Sequence, residues 1–260
     1  MSNEKLLSGI PEEFKYTIAK SLKNAIGDDI KEDIRRNRLD TRNNGDSQRV
    51  WDFINRNLVE FFQNDYDSVA SKTQRGSWIM APVFEKQTGT LVTLMRESRF
   101  KDLKGSVISE GNNSHYLVAL TSCLNEKLIP ESGEQTLFCF EEDETVSDEQ
   151  HKIVAKILDD MHVPLQVVNS YAVVLFESKH YELLSLRCCV LDSSLNIIAQ
   201  EDWSDYIAVS ESVIVEQISV EDEIVNCPNR GISLKDKAIA KKGQKREYSY
   251  KKKEKENKTV

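Results

Sequence analysis

Three arginines flank two strand-like segments in KTQRGSWIMAPVFEKQTGTLVTLMRESRF, residues 72–100. Arg75 precedes the first segment, and Arg96 and Arg99 follow the second. If the segments pair as a hairpin, these flanks come to one end and three guanidinium groups gather there. Each presents planar donors that match a phosphate or carboxylate, so the chemistry on offer is anion binding. A plainer reading competes with it. In a chain with 43 Asp and Glu against 35 Lys and Arg, the arginines can simply close ion pairs with internal carboxylates.

A second constellation has the residue types of a metal-dependent nuclease. Asp160 precedes Glu177-Ser178-Lys179 at the end of a strand-like run. Two carboxylates can hold Mg²⁺ while a lysine steadies the attacking water or the phosphate. The same Glu177 and Lys179 also suit a solvated hairpin turn, and acid-x-Lys spacings such as Asp102-Leu103-Lys104 arise freely in so charged a chain. His151 and His162, near Asp159 and Asp160, are eleven residues apart and share a helix face poorly, so no metal site is expected there. Phosphate loops of the G-x-x-x-x-G-K type, G-x-G-x-x-G, H-E-x-x-H and G-x-S-x-G are absent.

The third candidate is the C-terminal run REYSYKKKEKENK. Lys245, Arg246, Lys251, Lys252 and Lys253 can neutralise phosphates, and Tyr248 and Tyr250 can stack on unpaired bases. A solvated terminus reads the same way. Residues 231–260 carry 11 basic and 4 acidic residues, a balance of +7, which leaves 24 basic and 39 acidic in residues 1–230, a balance of −15. An acidic body with a basic tail points to a polyanion met by the tail, or to a tail folded on its own body.

The elements that must hold these groups follow from periodicity. Phe14, Ile18, Leu22 and Ile26 mark a first helix over Pro11–Ile26, with Gly27 where it would end, and Asp28–Arg36 can continue as a short helix. After a polar loop containing Asn44-Gly45, Asp46 or Ser47 caps a helix bearing Trp51, Ile54, Leu58, Phe61 and Phe62. The polar faces of this N-terminal region mix Asp, Glu, Asn and Lys, unlike a basic DNA-reading helix. Trp78–Phe84 and Thr90–Met95 form the hairpin around the turn Lys86–Gly89. Lys101–Asn113 reads as a loop with room for a helical turn, Ser114 caps a helix with Leu117, Leu120, Leu124 and Leu128, and Gln135–Phe140 is a short strand. Ser147 and Gln150 form a capping box for a helix burying Ile153, Val154, Ile157, Leu158 and Met161. Leu165–Phe176, Tyr181–Leu191 and Leu195–Gln200 form an antiparallel meander, with Val213–Ile218 as a further strand. Helices are expected on one face of it and something less regular on the other.

Length and composition suit one domain with a real core. The division is a single α+β domain over 1–228, helical to 70 and mixed over 71–228, with a disordered basic tail over 229–260. Five cysteines without C-x-x-C spacing argue for free thiols. No apolar run is long enough to span a membrane, and MSNEKLLSGIPEEF lacks the layout of a secretion signal, so a cytoplasmic protein is expected.

R-G-S-W from Arg75, L-V-T-L-M-R-E-S-R-F from Leu91, and L-S-L-R-C-C-V-L with the later E-D-W-S resemble an uncharacterised family of Gram-positive bacterial proteins, over most of residues 10–210. That resemblance implies a bacterial protein from a mobile-element or prophage setting near regulators. The expected function is a non-enzymatic binding or regulatory protein in a prophage, defence or toxin–antitoxin context. A protein partner is expected, with nucleic acid met through the tail and no cofactor. The metal-dependent nuclease, with Mg²⁺, is the alternative.

Overall fold

The apolar stripes of the N-terminal third cover one face of a sheet. The computed structural model describes residues 6–37, 45–110, 115–128 and 147–208, all within one compact unit, Met1–Gln217. Helix α1 (Glu12–Asn24) follows Pro11, carries Glu12 and Glu13 in its first turn, and buries Phe14, Ile18 and Leu22. It does not stop at Gly27. A single π turn (Ala25–Asp29) carries the chain straight into α2 (Ile30–Arg36), and Ala25, Ile26 and Ile30 stay buried. The wider turn absorbs an extra residue and keeps the apolar stripe facing inward. Helix α3 (Asp46–Phe62) buries Ile54, Leu58 and Phe62, and no side chain caps it.

The sheet is mixed and mostly antiparallel, and the fold is α+β. Its strands are β1 (Ser68–Ala70), β4 (Val83–Glu85), β5 (Thr90–Arg96), β6 (Ser170–Lys179), β7 (Glu182–Leu191) and β8 (Ile197–Asp202), adjacent in that order. Only β5 and β6 run parallel, with Thr90 opposite Ser170 and Arg96 opposite Phe176. Strands β2 (Thr73–Arg75) and β3 (Trp78–Met80) form a separate hairpin. The expected strand Trp78–Phe84 is thus two pieces. Pro82, which cannot donate to a ladder, sits between them and hands the chain from the small hairpin to the sheet.

Helices cover both faces, which corrects the expectation of one irregular face. Ala172, Val174 and Phe176 of β6 pack with α1–α3, while Tyr171, Val173 and Leu175 pack with α4 (Glu97–Glu110), α5 (Tyr116–Leu124) and α6 (Asp148–Met161). A strand buried on both sides reads as a continuous apolar run. Helix α4 takes residues 101–110 of the stretch expected as a loop with a helical turn, and 111–113 lie outside the described residues. Phe100, Leu103 and Val107 recur at helical spacing along it, diluted by Gly105 and by charges. Helix α6 has its capping box of Ser147 and Gln150 and ends on His162 in the left-handed region, φ 56°. Pro164 opens a 3₁₀ turn, Leu165–Val167, so β6 begins later than Leu165.

Buried polar groups fasten the sheet. Asn125 donates to the carbonyls of Tyr171 and Leu191, both at 2.9 Å, and accepts from the Tyr171 N–H at 2.8 Å. Buried Lys15 reaches Glu201 at 2.7 Å, and the indole of buried Trp203 donates to the same carboxylate at 3.0 Å. Cys123, Cys188 and Cys189 are free thiols, and burial pushes all three up from the usual thiol range. Among the described residues no helix is long and apolar enough to cross a membrane. The expected strands Gln135–Phe140 and Val213–Ile218, the Ser114 cap, the boundary at 228 and the tail lie outside the described residues.

Candidate anion site

The carboxyl end of β5 delivers its last residues, Leu94, Met95 and Arg96, to the wall of a cavity of about 600 Å³. Crevices at the carboxyl ends of parallel strands are where open sheets bind ligands. Helix α4 starts at once and puts Arg99 in its first turn on the same cavity. Arg75 arrives from the other side, at the tip of the β2–β3 hairpin, opposite Trp78. Gly76, at φ 60°, opens the two-residue turn there, a backbone that glycine adopts without steric cost. Three anchors hold this hairpin. Asn55 of α3 donates to the Ile79 carbonyl at 3.0 Å, Ser71 donates to the Asp160 carbonyl at 3.1 Å, and the Thr73 hydroxyl donates to the Asp160 carboxylate.

The three arginines expected to gather therefore line one cavity, and among the described residues no carboxylate lines it with them. The nearest acid in sequence, Glu97, is turned away. Its carboxylate takes a two-pronged contact from Arg187, Nη2 at 2.7 Å and Nε at 3.2 Å, with Lys101 at 3.5 Å. Among the described residues no ion pair closes Arg75, Arg96 or Arg99. The Nε of Arg96 is buried and has no hydrogen-bond partner among them. Burial lowers the Arg96 pKa from its ordinary value, but a guanidinium stays charged at neutral pH.

The rest of the lining is aromatic and apolar. Trp51 meets Trp78 edge to face at 5.5 Å and Phe176 at 5.8 Å. Met80, Leu94 and Met95 continue this wall. His115 and Tyr116, at the start of α5, line the same cavity. His115 caps that helix, its Nδ1 accepting from the Leu117 N–H at 3.1 Å, which leaves the ring proton on Nε2. Burial first, then the charges of Arg99 and Arg75, bring its pKa down to about 4. Burial pushes the Tyr116 phenol well above its usual range.

The other candidates fare differently. Asp160 is engaged by Thr73, so its visible role is to anchor the hairpin that carries Arg75. Glu177 and Lys179 are exposed on the β6–β7 ladder, opposite Ser185 and Glu182, at a bulge after Glu177. Among the described residues no cluster of three His, Cys, Asp or Glu could hold a metal ion. Lys245, Arg246, Tyr248, Tyr250, Lys251, Lys252 and Lys253 lie outside the described residues. Sequence reasoning missed His115 and Tyr116, and took Trp51 for simple core. The signal available was a His-Tyr pair directly before an apolar helix.

No curated protein and no solved structure matches the chain. A family model, described as that of a family of unknown function, matches residues 7–253.

Proposed function

We propose that this chain, which belongs to that family of unknown function (DUF5986), is a binding protein that captures a small organic anion between Arg75, Arg96 and Arg99. One observation carries this reading: Arg75, Arg96 and Arg99 line one cavity, the buried Nε of Arg96 has no hydrogen-bond partner among the described residues, and the neighbouring carboxylate, Glu97, is already taken by Arg187. A buried cation without a counter-charge is costly, and an anion in the cavity offsets that cost. Binding is favoured over catalysis by the titratable lining. His115 is held near 4 and Tyr116 far above neutrality, so neither is tuned for proton transfer at neutral pH.

The setting we propose is the cytoplasm of a bacterium, in a prophage, defence or toxin–antitoxin system, where ligand capture would regulate a protein partner. The resemblance carried by R-G-S-W and L-V-T-L-M-R-E-S-R-F supports that setting. The basic tail would add a nucleic-acid contact, supported by the +7 balance of residues 231–260.

Calorimetric titration with inorganic pyrophosphate tests the site. Arg96→Gln should weaken binding at least about tenfold, as a charge-assisted hydrogen bond is worth roughly 1.5–3 kcal/mol. Arg35→Gln, which changes an exposed arginine paired with Glu32 on α2, should leave it alone. Equal losses in both variants, or no binding by the natural protein, reject the site.

A further inference from the structure

We infer that the anion is a nucleotide, its phosphates on the three arginines and its base against the tryptophan wall; this rests on the anion-binding reading above. The first argument is size. A cavity of about 600 Å³ lies in the range of sites for whole organic ligands, and a bare oxyanion would leave most of it to water.

The second argument is how the lining is divided. Charge is confined to Arg75, Arg96 and Arg99, and three guanidinium groups match a ligand with two or more negative charges. The uncharged lining is rich in flat and polarizable groups, Trp51, Trp78, Met80 and Met95, with Trp78 cross-strand to Arg75. Trp78 is 39% exposed at the tip of a short hairpin, on the cavity, a costly position for an indole without a ligand. Its edge-on contact with Trp51, itself braced by Phe176, keeps the ring from collapsing into the space.

The third argument is directional. With Nδ1 committed to the Leu117 N–H, neutral His115 has a single donor left, Nε2–H. A neutral donor beside three guanidinium groups suits a carbonyl or ring nitrogen on a base edge, and Tyr116 adds a second neutral polar side chain to the lining. An acyl anion would use the arginines and the apolar wall but leave this donor unused.

The test titrates the full-length protein with inorganic pyrophosphate, adenosine, adenosine diphosphate, uridine diphosphate and decanoate, reading calorimetry and tryptophan fluorescence. Base stacking contributes about 5- to 150-fold in affinity. At least one diphosphate should therefore bind tenfold or more tighter than both pyrophosphate and adenosine, and it alone should quench the fluorescence. Trp78→Leu should narrow that preference to within about threefold, with an unchanged thermal midpoint showing that the fold persists. Pyrophosphate binding as tightly as either diphosphate overturns the nucleotide and leaves the anion site standing. Decanoate binding more tightly than the diphosphates also overturns it, assigning the wall to an acyl chain. Adenosine binding as tightly as its diphosphate, or no ligand binding at all, overturns both readings, whatever the variant does.

Discussion

A neutral imidazole facing two guanidinium groups makes the site sensitive to acid. His115 has a folded-state pKa near 4, against about 6.5 for an unfolded histidine, so below 6.5 the unfolded chain takes up a proton that the folded one refuses. Stability is therefore fully present above pH 6.5 and is lost as pH falls toward 4, by on the order of 3 kcal/mol. His115→Asn retains a capping side chain and cannot titrate. Its denaturant midpoint should fall less than the natural protein's between pH 7 and 4.5, and parallel curves would falsify this assignment. Saturating pyrophosphate should flatten the natural curve too, because it offsets the arginine charges. At this scale the sequence was half legible. Arg75, Arg96 and Arg99 were expected to gather at the end of one hairpin, and they do line one cavity, but Arg75 reaches it from the separate β2–β3 hairpin, which the sequence did not divide from the β4–β5 pair. His115 could not be placed, because its capping role needs the boundary of α5 and its low pKa comes from arginines far away in sequence.

The same small substitution should have opposite effects in two elements. Gly89 ends the β4–β5 turn at φ 72°, and a Cβ there would lie 2.5 Å from the Asn169 amide nitrogen and 2.7 Å from the Val167 carbonyl oxygen. That crowding is structural, because the Asn169 N–H donates to the Gly89 carbonyl at 2.8 Å and so sets where β6 begins. Buried Glu85 holds the turn from inside, accepting from the Gln87 and Thr88 N–H groups at 2.8 and 2.7 Å. Gly89→Ala should cost at least about 2 kcal/mol, read as a lower urea midpoint at unchanged slope. Gly105→Ala should stabilise by roughly 0.5–1 kcal/mol, since Gly105 is exposed within α4 with nothing within 4 Å of a Cβ. If both substitutions shift the midpoint the same way, the backbone argument fails. These two glycines also show why some elements were legible. Lys86–Gly89 is a local turn signal and was read correctly, whereas Gly105 looked like a loop because α4 is specified by Phe100, Leu103 and Val107 packing on a sheet built from distant sequence.

For the molecule as a whole, the α+β class was legible from alternating helical and strand periods, but the layering was not. Which face a helix takes depends on the order β1-β4-β5-β6-β7-β8, and a sequence shows pairing only between neighbours joined by short turns. The parallel β5–β6 pair carried no local sign. Charge acts at this scale as well. With a body at −15 and a tail at +7, we expect nucleic-acid affinity to reside in the tail and to be polyelectrolyte in character. Changing Lys251, Lys252 and Lys253 together to Gln should reduce the slope of log affinity against log salt for single strands by about 2, from roughly 0.7 per phosphate. An unchanged slope would move the contact to the body.

The parallel pairing also sets a clock for synthesis. Thr90 pairs with Ser170, 80 residues later, so β5 leaves the ribosome well before its partner exists. At roughly 5–20 residues per second the delay is about 4–16 s, during which Leu91, Val92, Leu94 and Met95 have no strand on that side. Until β6 is made, that side of β5 is an open edge of the kind that invites pairing with another chain.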